Sequence, residues 1–123
     1  MARKKEKRIS VVAYLSTDGN MYSALGKEKK QLRYIKEYAN AHNIHIVKIM
    51  NRDIANNRDV IKHFKTIAGL VAADNVVDGV IVANTAAVSV SIADAYYKVG
   101  LVVEAGGVFV SVDEGRLSLR REA

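Results

Sequence analysis

The chain has 123 residues, half of them hydrophobic and 26% charged, with a formal net charge of +6. Such a size and apolar share fit one globular domain with a real core and exclude wholesale disorder. With no cysteine, disulfides and thiol chemistry are excluded. His42, His45 and His63 are scattered without metal-ligand spacing, so no metal site is expected.

The charge is uneven. Residues 1–8 hold Arg3, Lys4, Lys5, Lys7 and Arg8 against a single Glu6, and the rest of the chain is nearly neutral. Such a tail can hold a phosphate backbone, or it can be a solvated terminus that only aids solubility. No apolar run approaches the length of a membrane span, and the first residues lack the pattern of a signal peptide. A cytoplasmic protein with no membrane partner is expected.

Residues 9–15 are a short apolar run rich in β-branched side chains, as in a strand buried on both faces. A turn-rich loop follows at 16–20. Leu25, Leu32, Ile35 and Ala39 then share one helical stripe, with Lys27, Lys29, Lys30, Arg33 and Lys36 mostly outside it. Asn43 is placed to end that helix. Residues 44–50 read as a second strand, and 51–57, rich in Asn and Asp, as a loop. Val60, Ile61, Phe64, Ile67, Ala68 and Val71 repeat with helical spacing. Residues 80–83 read as a third buried strand. Ser91 and Asp94 resemble a capping box that opens a helix with Ile92, Ala95, Tyr96, Val99 and Val103 on one face. Gly106 and Gly107 break it, and 108–112 read as a fourth strand. Residues 115–123 start another helix or fray.

Strands alternating with helices through short loops imply a mainly parallel sheet with right-handed crossovers. Ligand sites in such sheets lie beyond the carboxyl ends of the strands. Those ends are the loops 16–22, 51–57, 84–90 and 113–116. Ser16 follows a buried strand, where a hydroxyl is placed for nucleophilic attack or for capping the next segment. No nucleophile elbow surrounds it, and the chain has neither a P-loop nor a dinucleotide-binding glycine turn, so no cofactor is expected. The loop 84–90 carries no charge, so it cannot stabilise a phosphoryl transition state.

Several stretches resemble the N-terminal catalytic domain of serine recombinases, the resolvase/invertase family. The segment from Lys7 to Asn20 fits the family's first strand and its R-V-S-T-x-x-Q without a gap. Ser16 and Thr17 match the S-T, while Tyr14 stands at the preceding arginine and Asn20 at the glutamine. Gln31, Leu32, Ile35, Tyr38 and Ala39 are similar to the family's Q-x-x-x-L-x-x-Y-A helix, and 78–82 to its D-x-V-V-V strand. The family's D-R-L-S-R falls on 86–90, where Ser89 agrees and both arginines are replaced, by Ala87 and Val90. The stretch 104–114 is similar to the strand that leads to an acidic turn. Arg58 corresponds to the arginine of the family's R-P, with Asp59 in place of proline. The resemblance spans residues 7–115.

It implies a three-layer α/β fold: a four-stranded, mainly parallel sheet in the order 2-1-3-4 with helices on both faces. A basic tail (1–8), a resolvase-like domain (9–115) and a C-terminal tail (116–123) are the expected parts. The resemblance makes Ser16 the nucleophile toward a DNA phosphodiester, with Arg58 beside it. Three other arginine positions hold Tyr14, Ala87 and Val90, and losing even one charge-stabilising donor costs about 10²–10³ in rate. The expectation is therefore a degenerate recombinase-like domain of bacterial or mobile-element type, inactive in strand exchange and serving DNA recombination as an accessory. Its partners would be DNA, held weakly and non-specifically by Arg3, Lys4, Lys5, Lys7 and Arg8, or an active recombinase. The alternative is a stand-alone protein-interaction or small-ligand module that uses the former active-site loops. Family members dimerise through a helix that follows the fourth strand. Here residues 116–121 are too short for it, so a monomer or a weak homodimer through 84–90 and the Ile92–Val103 face is expected.

Overall fold

The structure, a computed structural model, describes residues 8–16, 21–51, 57–73 and 77–117. In chain order the elements are β1 (Ile9–Leu15), α1 (Met21–Ala41), β2 (Ile44–Asn51), α2 (Asn57–Ala72), β3 (Gly79–Val82), a 3-10 turn (Thr85–Ala87), α3 (Ile92–Glu104), β4 (Val108–Ser111) and β5 (Gly115–Leu117). They form one five-stranded sheet in the order β2-β1-β3-β4-β5, in which the first four strands are parallel. The expected order of those four strands is present.

β5 corrects the sequence reading. Residues from Gly115 onward were expected to start a helix or fray, but Gly115–Leu117 pairs antiparallel with β4, Ser111 facing Gly115 and Phe109 facing Leu117. The reason is local: Val112, Asp113 and Glu114 make a three-residue hairpin loop, and Gly115 takes the left-handed φ of 87° that such a loop needs. Residues 118–123 lie outside the described residues.

Alternation along β1 divides the core. Val11, Ala13 and Leu15 pack with Ile35 and Ala39 of α1, while Val12 and Tyr14 pack with α2, α3 and Phe109 on the other face. The stripe read on α2 is the one that is buried: Val60, Phe64, Ile67 and Val71. Asn43, with φ of 58°, turns the chain after α1. α3 ends as its glycines require. Gly106 takes φ of 95°, its N–H reaches Val103 O at 3.0 Å, and Gly107 N–H reaches Val102 O at 3.0 Å.

The apolar stripe read on α3 overlaps the buried face only in part. The Ser91 cap is present, its hydroxyl accepting from Asp94 N at 3.0 Å. However, Ile92 is 79% exposed and Tyr96 64% exposed, and the helix buries Val99 of the stripe together with Lys98, Gly100 and Val102. At 3.6 residues per turn the centre of the buried face lies about 55° from that of the apolar stripe. Lys98 accounts for it. Its side chain is fully buried, with Nζ donating to Val88 O at 2.6 Å and paired with Asp94 Oδ2 at 2.5 Å, which fixes that side of α3 inward.

Candidate functional site

The carboxyl ends of β1, β3 and β4 meet under the 3-10 turn. Asn84 caps that turn, its Oδ1 accepting from Ala87 N at 2.8 Å. Val88 is buried in the α2/α3 core and anchors the turn from below.

Ser16 lies beneath this turn and is 2% exposed. Its hydroxyl donates to Ala87 O at 2.5 Å. Its backbone is held from α1 by one side chain: Ser16 N–H donates to Gln31 Oε1 at 2.7 Å, and Gln31 Nε2 donates to Ser16 O at 2.9 Å. Ser16 thus ties the end of β1 to the 3-10 turn and to α1. A nucleophile needs access to its target and a neighbour that takes its proton or stabilises its charge. Here the hydroxyl proton is committed to a backbone carbonyl.

Arg58, in the first turn of α2, is exposed, and among the described residues no hydrogen bond or ion pair joins it to Ser16. The two expected site residues are therefore not brought into contact. Arg8 is exposed just before β1; Arg3, Lys4, Lys5 and Lys7 lie outside the described residues, as do Thr17, Asp18 and Asn20.

Tyr14, which stands at an arginine position of the resemblance, is fully buried. Its hydroxyl shares a 2.7 Å hydrogen bond with His63 Nδ1, and its ring lies 5.0 Å from Phe64, which stacks on Phe109 at 5.9 Å. Tyr14 thus belongs to an aromatic core cluster.

Two clusters at the site went unread in the sequence. Glu114, after β4, clamps the start of the 3-10 turn. Its carboxylate accepts from Thr85 N at 2.8 Å, Thr85 Oγ1 at 2.6 Å and Ser111 Oγ at 2.6 Å. Burial opposes the charge of Glu114, but the hydrogen bonds from Ser111 and Thr85 outweigh it and hold the carboxyl below its ordinary range. This clamp therefore stabilises the turn at neutral pH and is lost as pH falls through the lowered range of Glu114. Beside it, Asp113 accepts from Asn84 Nδ2 at 3.1 Å and from the Tyr34 hydroxyl. The hydrogen bond to Asp113, with some burial and the carboxylate charge, pushes the Tyr34 phenol up. The second cluster is Asp94–Lys98. Its i,i+4 spacing is visible in the sequence, but the burial of Lys98 is not.

Next to the 3-10 turn, an apolar groove of about 510 Å³ opens between the turn, α3 and β5. Val90, Ile92, Tyr96 and Leu117 line it, and Val90 is 71% exposed. Among the described residues no group of three His, Cys, Asp or Glu side chains is placed to hold a metal ion, and no helix is long and apolar enough to cross a membrane.

No family model and no curated protein matches the chain. Solved structures do match it. A resolvase family site-specific recombinase from Streptococcus pneumoniae superposes with a TM-score of 0.67 at 16% identity, over 87% of this chain and 74% of that one. The C-terminal catalytic domain of ISC1926 TnpA, an IS607-like serine recombinase, gives 0.62 at 21% identity, over 85% and 70%. The N-terminal catalytic domain of TP901-1 integrase gives 0.58 at 17% identity, over 86% and 78%. The likeness read from the motifs is thus present in the fold: an α/β sheet arranged as in resolvase-type catalytic domains.

Proposed function

We propose that this chain is a resolvase-like domain that has lost strand exchange and serves DNA recombination as an accessory or regulatory protein. The observation that carries this reading is the state of Ser16: buried, its hydroxyl given to Ala87 O, and flanked in sequence and space by Tyr14 and Ala87 where the resemblance expects arginines. Catalysis of phosphoryl transfer is mostly electrostatic, and a site without its cations has no means to supply it. The domain acts by contact with DNA or with an active recombinase, in a bacterial or mobile-element setting.

The DNA contact is weak and non-specific, and Arg3, Lys4, Lys5, Lys7 and Arg8 carry it. Five neutralised phosphates imply that retention of a random duplex falls on the order of 10²–10³-fold between 50 and 200 mM salt. Deleting residues 1–8 is expected to remove most of that retention in a filter-binding or anisotropy titration. Unchanged affinity after the deletion, or a strong sequence preference, would contradict the DNA arm of the reading.

The exposed groove favours a second reading, in which the face around the former active-site loops is an interaction module. Its side chains, Val90, Ile92 and Tyr96, are the kind of apolar patch that marks a contact site. A weak two-fold homodimer through this face fits it. Light scattering over a range of concentrations should show association that Val90→Asp with Ile92→Asp abolishes. Both side chains are exposed, so the double variant should keep the wild-type melting temperature. A tight dimer that survives the pair of changes would count against this face.

A further inference from the structure

β2 is an edge strand of the sheet, paired among the described residues on one side only, with β1. The register places Ile44, Ile46 and Ile49 on the face that α1 covers, because their partners or near neighbours Ile9, Val11 and Ala13 pack there. α1 does not sit centrally over this strip. Its Gln31 and Tyr34 reach inward, to Ser16 and Asp113. On the opposite side, Lys29, Arg33 and Lys36 fall within an arc of about 60° at 3.6 residues per turn. There they rim a groove of about 630 Å³ whose floor includes Leu32, Ile44 and Ile46. Glu37 is the one acidic side chain lining it. Among the described residues none of the three cations makes an ion pair.

We infer that this groove docks an extended acidic segment of a partner protein, which adds as a strand to the free edge of β2. Three features fit that occupant together. The open backbone edge supplies main-chain hydrogen bonds to a strand. The apolar floor receives side-chain stems. The cationic rim receives carboxylates at the tips of those stems, so alternate glutamates satisfy floor and rim at once. The spacing agrees: alternate residues of a strand are about 6.6–6.8 Å apart, and Lys29 and Arg33 are separated by about 6 Å along the helix. A nucleic acid backbone would use the cations but leave both the apolar floor and the strand edge without a partner.

The test uses the whole chain and an eight-residue peptide alternating Glu and Val, with its Lys-for-Glu counterpart and a duplex of about 20 base pairs as competitors. Amide chemical shifts and hydrogen exchange locate the binding. The Glu peptide is expected to shift and protect amides of β2, among them His45 and Val47, and to bind at least tenfold more weakly to the Lys29→Glu, Arg33→Glu, Lys36→Glu variant. All three side chains are exposed or line the open groove, and an unchanged melting curve checks that the variant is folded. Equal binding by wild type and variant, equal binding of the Lys peptide, or changes that map away from β2 would overturn the proposal. So would a duplex, rather than the peptide, being what the three cations hold.

Discussion

Replacing Tyr14 by arginine, which restores the residue found at this position in the resemblance, is expected to destabilise the domain by about 3–5 kcal/mol. That is a large part of the 5–15 kcal/mol typical of a domain. Tyr14 is fully buried against Phe64, within the cluster that includes Val12, Val80 and Phe109. A guanidinium placed there would be a buried charge, with His63 as the hydrogen-bonding group the tyrosine now uses. Tyr14→Phe removes the hydroxyl with its hydrogen bond to His63 and is expected to cost about 1 kcal/mol. Urea unfolding of the two variants reads the difference. An arginine variant as stable as wild type would mean that position 14 can open toward the Ser16 loop, and the account of a closed site would fail.

The second large effect is at Gly79. A Cβ there would stand 1.9 Å from the backbone oxygen of Val108 and 2.7 Å from its Cγ2. Gly79 pairs with Val108 where β3 meets β4, so the obstacle is backbone and cannot rotate away. Gly79→Ala is expected to cost at least about 3 kcal/mol, at the upper end for overpacking. Gly69 is the control. It lies in the exposed part of α2 with nothing within 4 Å of an added Cβ, so Gly69→Ala should stabilise by about 0.5–1 kcal/mol. Thermal melts of the pair check both the sign and the contrast.

The elements of the fold are legible because each is written in local pattern. The α2 stripe from Val60 to Val71, the left-handed Asn43 and the glycine stop at Gly106 all depend on residues within a few positions of one another. The parallel order follows from the alternation of strands and helices. β5 was also within reach, since Asp113, Glu114 and Gly115 make a short glycine-bearing hairpin signal before Arg116 and Leu117.

The site was legible only in part, because what decides it is contact across the chain. Ser16 stands out in sequence as a hydroxyl after a strand. Its cover by Ala87, 71 residues away, has no local signature. Tyr14 and His63 are 49 residues apart, and the Glu114 clamp on Thr85 spans 29. Helical periodicity also marks only part of the buried side of α3. Ile92 and Tyr96 of the apolar stripe are exposed, whereas Asp94 and the carbonyl of Val88 give the charged Lys98 partners good enough to bury it.

On the proposed function, Ser16 holds the site closed and does not cleave DNA. Covalent trapping tests it most directly, with nicked duplexes drawn from the DNA that the protein retains at low salt. Denaturing electrophoresis then reads any protein–DNA adduct, with Ser16→Ala as the control. The account predicts no adduct from either protein. An adduct formed by the wild type through a phosphoserine linkage, and lost in Ser16→Ala, would contradict it.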